Sequence, residues 1–191
     1  PTEGSGIWNA FFDDLKSRGL EKVGLIVSDG LNNIEEVAER HFSGVEVQLC
    51  SVHLQREICN RVRPKDKRAI SSKLSEVFRK NDPKRTVEDG VKDFSKFAKE
   101  WHEHYPFLSK IADGERIYYY FTYLKYDVVV RRYIHSTNWI ERFNRQIKKG
   151  ATYKCAFPSV DSALHLVGSI ALNSSYLGRR IGDLIGGLKK L

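Results

Sequence analysis

"KVGLIVSDGLNNIEEVAERHFSGVEVQLC" (22–50) is the stretch that decides the fold. Its first part, "KVGLIV" (22–27), is a short apolar strand that stops at Ser28-Asp29-Gly30. "NNIEEVAERHF" (32–42) then places Ile34, Val37 and Ala38 at helical spacing, which predicts an amphipathic helix. After a Ser43-Gly44 turn, "VEVQLC" (45–50) alternates in and out like a strand. Upstream, Ile7, Trp8, Phe11, Phe12 and Leu15 recur at helical spacing between Gly6 and Leu20, with Gly19 as a stop. Helix, strand, helix, strand with short connections predicts a parallel pair in an α/β sheet, joined by a right-handed crossover.

Beyond Cys50 the pattern changes. From about Val52 to Lys125 the signals are helical: "VHLQREICNRV" (52–62), then "PKDKRAISSKLSEVFRK" (64–80), opened by Pro64 at a helix start. "DPKRTVEDGVKDFSKFAKEWHEHY" (82–105) carries Val87, Val91, Phe94, Phe97, Ala98 and Trp101 at spacings of three and four. "ERIYYYFTYLKY" (115–126) suits either helix or strand. "RRYIHSTNWIERFNRQIKKGA" (131–151) and, after a Pro158 break, "SVDSALHLVGSIALNSSYL" (159–177) both read as helices.

Bulk properties narrow the class. The 191 residues fit one domain, or one domain with an insertion, long enough to bury a core. Hydrophobic residues make up 41%, against disorder. No apolar stretch approaches the roughly 20 residues a spanning helix needs, so a membrane is not an expected partner. "PTEGSG" does not resemble a signal peptide. Three scattered cysteines, Cys50, Cys59 and Cys155, suit a reducing compartment better than a disulfide framework. A net charge of +8 favours a polyanionic partner. The chain holds no methionine, even at position 1, and is expected to be a piece of a longer protein.

Two carboxylates stand out. Asp29 sits at the end of a strand, where open α/β sheets expose functional groups. Gly30 beside it would let the backbone turn sharply or let a ligand come close. Equally, Ser-Asp-Gly triplets cap helices and make turns. Glu141 lies in "HSTNWIERFNRQIKKG" (135–150), flanked by Arg131, Arg132, Arg142, Arg145, Lys148 and Lys149. Its alternative reading is a capping box, Asn138-x-x-Glu141. As a pair they suit Mg²⁺, or Mn²⁺, because hard cations take oxygen ligands and keep sites for water and phosphate. The surrounding Arg and Lys would hold a phosphodiester backbone. Two metals about 4 Å apart can activate an attacking hydroxyl and stabilise a leaving one.

"GLIVSDGLNNIEEVAERHFSGVEVQLCSVHLQREICNRV" followed by "STNWIERFNRQIKKG" resembles the Mutator-type transposases, the group that includes bacterial IS256-like elements. The resemblance covers most of the chain. It is strongest at Ser28-Asp29-Gly30, at Cys50-x-x-His53, and from Thr137-Asn138 through Glu141 to Asn144. It implies an α/β, RNase H-like core interrupted by an all-helical insertion. In this chain, 1–53 would be the first part of the core, 54–130 the insertion, and 131–191 the second part, with the glutamate helix.

The resemblance further implies a DDE active site in which Asp29 matches the second catalytic aspartate and Glu141 the catalytic glutamate. The family's first aspartate lies on a strand upstream of the opening helix. Asp13 and Asp14 fall within that helix and are not substitutes. The complete protein is then expected to use two Mg²⁺ ions for phosphodiester hydrolysis and strand transfer at transposon ends. The 191-residue chain alone is expected to bind metal weakly and not to cleave. Partners would be double-stranded DNA, as transposon ends and target, and further copies of the protein. The location would be cytoplasmic or nucleoid-associated in a bacterium, nuclear in a eukaryote.

Cys50-x-x-His53 could be half a zinc site, but four ligands are needed and His102, His104, Cys59 and Cys155 are irregularly spaced, so zinc is not expected. Cys50, His53 and Asn138 are expected to be structural residues near the site. The aromatic run Tyr118, Tyr119, Tyr120, Phe121, Tyr123 and Tyr126 could stack on DNA bases, though interhelical packing is the ordinary use. Lys65, Lys67 and Arg68 read as a solvated patch. The rival function is a non-catalytic, DNA-binding remnant of a transposase. An α/β hydrolase acting on a small phosphate ester would leave the basic helix around Glu141 unexplained.

Overall fold

The computed structural model describes residues 5–30, 33–154 and 156–174. Leu31 and Asn32 of the turn after Asp29, Cys155, and the end of the last expected helix lie outside them. The chain divides into two compact units, residues 1–136 and 137–191.

The first unit opens with α1 (Ser5–Ser17), β1 (Leu25–Ser28), α2 (Ile34–His41) and β2 (Glu46–Leu49). The two strands are parallel, with Leu25 opposite Glu46 and Ser28 opposite Leu49. This is the expected α/β pair, reduced to two short strands in a mostly helical chain. Val37 and Ala38 of α2 are fully enclosed against Phe12 of α1 and against Val47 and Leu49 of β2. A larger side chain such as Val37, Val47 or Leu49 contributes about 1.5–3 kcal/mol by leaving water, and the Ala38 methyl less.

The alternation expected for β2 is absent: Val47, Gln48 and Leu49 are all buried. The second face is covered by the run that was ambiguous in sequence, which forms two 3-10 helices, η1 (Glu115–Tyr120) and η2 (Thr122–Lys125). Gln48 is their anchor. Its amide nitrogen donates to the Tyr120 carbonyl at 3.1 Å, and its amide oxygen accepts from the Tyr123 N–H at 2.6 Å. A buried amide with both ends paired in this way ties β2 to a segment more than 70 residues away.

Between β2 and residue 136 the described residues form only helices: α3 (Ser51–Arg61), α4 (Pro64–Val77), α5 (Val87–Glu100), α6 (Phe107–Ala112), η1, η2 and α7 (Val128–Ile134). Pro64 takes the first turn of α4 as expected. Thr86 and Asp89 form a reciprocal capping box at the start of α5. Phe121 stacks on Phe78 at 4.8 Å between ring centroids and presses on Gly90 of α5. Phe121 and Tyr123 are fully buried, so most of the aromatic run is packing, while Tyr118 is exposed.

The stretch 131–151 is not one helix. α7 ends at Ile134, and α8 (Asn138–Lys154) begins the second unit. The break has a visible cause: the His135 carbonyl accepts from both the Ser51 N–H at 3.1 Å and the Ser51 hydroxyl at 3.0 Å. It is therefore spent on α3 rather than on a continuing helix. In the second unit α8 packs on α9 (Val160–Asn173). A side chain at Gly150 would meet Leu166 and Ile170 at 3.2–3.3 Å, so the small residue lets the two helices close up.

Candidate active site

Asp29 follows β1 directly and is exposed, whereas Ser28 before it is buried. The backbone at Gly30 takes φ +92°, a left-handed value that favours glycine, and a Cβ there would lie 3.4 Å from the Tyr120 hydroxyl. Arg116 of η1 donates from Nη2 to the Gly30 carbonyl at 3.3 Å and from Nε to the Glu35 carboxylate. Glu35 is buried on the first turn of α2. The turn bearing Asp29 is thus fastened by an arginine from the helical segment that follows β2. Sequence reasoning missed Arg116, Glu35 and Gln48, because their partners lie 72–86 positions away.

Cys50 belongs to the same end of the sheet. Its N–H donates to the Ser28 carbonyl at 2.7 Å, one residue before Asp29. Cys50 is buried and His53, one turn into α3, is half-buried. The structure therefore brings Asp29 and the Cys50-x-x-His53 motif together at the carboxyl ends of the paired strands.

Glu141 lies in the second unit, half-buried on the first turn of α8. Its N–H donates to the Thr137 carbonyl, which makes Thr137 the capping residue, and its carboxylate accepts from the Thr137 hydroxyl at 3.1 Å. Asn138 is thereby the first helical residue and Glu141 the fourth. The Asn138-x-x-Glu141 capping-box register does not arise, since that box needs its acid at the third position. Spacings of four and seven put Arg145 and Lys148 on the same stripe of α8 as Glu141. Arg142, Arg145, Lys148 and Lys149 are all exposed.

The two arginines at the end of α7 divide. Arg132 is exposed and stands over the Tyr133 ring at 4.6 Å. Arg131 is 3% exposed, and its guanidinium donates to four carbonyls: Tyr126 at 2.8 Å, Asp82 at 2.6 Å, Leu124 at 2.9 Å and Arg85 at 3.5 Å. This corrects the expectation for Arg131, which joins the ends of three segments and has no face for a phosphate. A pair of adjacent arginines in sequence carries no sign of which one turns inward.

His135, also unforeseen, is buried beside Lys80. Burial first, then the Lys80 ammonium, lower its pKa to about 4. Glu46, at the start of β2, is pushed up by partial burial. Hydrogen bonds from Lys125 at 2.7 Å and the Tyr126 hydroxyl at 2.6 Å outweigh this and hold it below the usual range.

Asp29 and Glu141 are hard oxygen donors, the kind Mg²⁺ takes. Among the described residues no three His, Cys, Asp or Glu side chains gather as a metal-holding group, around Cys50 and His53 or elsewhere. No helix among them is long and apolar enough to cross a membrane.

Comparison with known proteins bears on the chain as a whole. The family model described as "Transposase, Mutator family" matches residues 1–177. The transposase for insertion sequence element IS1201 of Lactobacillus helveticus is 29% identical over 173 residues, covering 91% of this chain and 46% of that protein. The transposase for ISRM3 of Rhizobium meliloti is 29% identical over 182 residues, covering 94% of this chain and 44% of its own length. The transposase for IS256 in transposon Tn4001 of Staphylococcus aureus is 25% identical over 178 residues, covering 90% and 43%. The chain thus spans less than half the length of these curated relatives, and it belongs to the Mutator family of transposases.

Proposed function

We propose that this chain supplies part of the catalytic domain of a DDE transposase, with Asp29 and Glu141 as two of its metal-binding carboxylates. The observation that carries the reading is the placement of Asp29. It is an exposed acid at the carboxyl end of a parallel strand, on a turn held by a glycine in a left-handed conformation and by Arg116. Glu141 supports it from the first turn of a helix whose exposed face carries Arg142, Arg145, Lys148 and Lys149. The core to which these elements belong is read as RNase H-like, interrupted by the helices from α3 to α7.

In this reading Asp29 and Glu141 would hold Mg²⁺ or Mn²⁺, which would supply Lewis-acid activation of water or a 3′-hydroxyl for cutting and joining DNA. The chain's own residues do the rest. Arg116, braced by Glu35, holds the backbone of the turn that follows Asp29. Thr137 orients the Glu141 carboxylate through its hydroxyl. Arg132, Arg142, Arg145, Lys148 and Lys149 contact backbone phosphates of double-stranded DNA, which position the duplex without reading sequence. A further carboxylate completes the family's set, so the 191-residue chain alone is expected to show no metal-dependent nicking. Further copies of the protein would act with it.

The test is a strand-transfer assay on the complete protein with Asp29→Asn and Glu141→Gln. Each substitution should remove an anionic metal ligand while leaving the basic surface intact. Loss of transfer with DNA binding within about twofold is the expected result. Full activity in either variant would remove that residue from the catalytic set. No strand transfer by the unsubstituted complete protein, with duplex binding intact, would favour the rival reading, a DNA-binding protein without chemistry.

A further inference from the structure

The start of α3, the segment that follows α4 and the end of α7 enclose a cavity of about 380 Å³. Its lining includes Ser51, Gln55, Ser75, Arg79, Lys80 and His135, and no acidic side chain is among the described residues that line it. We propose that this cavity is an oxyanion site that takes a phosphate group.

The argument begins with His135. Its Nδ1 lies 3.1 Å from the Arg131 carbonyl, which can only accept, so Nδ1 carries the proton and donates. Nε2 is left as a lone pair and accepts from the Lys80 ammonium at 3.1 Å. Lys80 is half-buried, its charge disfavoured by burial, and a neutral imidazole is the hydrogen-bond partner it has. An ammonium carries three N–H donors, and one is spent on His135. A cation lodged in a cavity without a carboxylate is uncompensated, and an incoming anion is what would compensate it.

The surroundings favour the same charge. Arg79 stands beside Lys80, with half its side chain exposed and its guanidinium reaching Asp93 at 3.7 Å and the Glu76 carbonyl at 3.5 Å. Ser51 and Val52, at the positive end of an 11-residue helix, face the cavity from the other side. The negative end of α4 is closed off: the Val77 carbonyl accepts from Arg85 at 2.7 Å, and the Arg79 carbonyl accepts from the Tyr123 hydroxyl at 3.3 Å. The Gln55 amide adds donors, while the Ser75 and Ser51 hydroxyls give their single protons to the Ser71 and His135 carbonyls. A tetrahedral oxyanion with several acceptor oxygens matches that lining better than a carboxylate with two.

None of the residues lining the cavity is a proposed metal ligand, and the test uses neither metal nor cleavage. The 191-residue chain is titrated with inorganic phosphate and, separately, with a short DNA duplex, at constant ionic strength. Lys80→Gln should weaken phosphate binding about tenfold, the loss expected for one charge-assisted hydrogen bond. Lys99→Gln, exposed on α5, should leave it unchanged. If Lys80→Gln weakens the duplex as well, the occupant is a DNA backbone phosphate; if it weakens phosphate alone, the occupant is a free phosphate. Unchanged phosphate binding in Lys80→Gln overturns the site. The unsubstituted chain gives a second reading that needs no variant to fold: the amide resonances of Ser51, Val52 and Asn81 should shift as phosphate is added. Their failure to move would equally overturn it.

Discussion

At the scale of single residues, Arg116 and Arg131 show that charge in this chain is divided between holding the fold and facing outward. Arg116 leaves nearly half its side chain in solvent, yet its Nε meets a carboxylate that is 7% exposed. Arg116→Gln leaves Glu35 buried without its partner and is expected to cost about 1–2 kcal/mol, with part of it restored when Glu35→Gln is added. Urea unfolding of the two single variants and the double variant checks this. In the complete protein the same substitution should lower strand transfer more than it lowers duplex affinity, since it loosens the turn that bears Asp29. Arg131→Ala should destabilise by about 3 kcal/mol or more, because four main-chain carbonyls lose a charged donor at once. Arg131→Lys should rescue little, as an ammonium cannot reproduce the guanidinium fork.

His135 adds a pH dependence whose sign follows from its pKa, lowered to about 4 against an ordinary 6.5. The neutral ring is the form the fold accommodates. Its contribution is complete above about 6.5 and is lost progressively as pH falls toward 4. A pH series of unfolding midpoints should show that decline, and His135→Gln should flatten it.

At the scale of elements, the apolar periodicity of α1, α2, α4 and α5 was enough to place them, because each buries one stripe against a neighbour and stripes are visible in sequence. β2 was placed correctly but misread as half-exposed, since its outer face is covered by η1 and η2. That cover depends on a polar residue, Gln48, and no hydrophobic pattern records it. The aromatic run was ambiguous because every position is apolar enough for either period; its 3-10 geometry is set by the Gln48 anchors and by Phe121 seating against Gly90. Gly90→Ala would place a Cβ 2.8 Å from two Phe121 ring carbons. The gain in helix propensity of about 1 kcal/mol should be outweighed by overpacking of about 1–3 kcal/mol, giving a lower melting temperature. On α8, substituting Arg145 and Lys148 together by Gln should weaken duplex binding at every sequence alike. It should also reduce the slope of log affinity against log salt by roughly two.

At the scale of the whole molecule, the family and the order of the elements were legible in the motifs around Asp29, Cys50 and Glu141. The division at residue 136 was not, because it turns on the His135 carbonyl bonding to Ser51, a contact spanning 84 positions. The two candidate carboxylates fall in different units, and the central claim is that each of them serves as a metal ligand. Mn²⁺ titration of the complete protein, followed by electron paramagnetic resonance, tests it most directly. Asp29→Asn and Glu141→Gln should each weaken Mn²⁺ binding about tenfold or more, and the double variant should fall short of the sum of the two losses. Mn²⁺ affinity unchanged in either single variant would contradict the metal-ligand role of that residue.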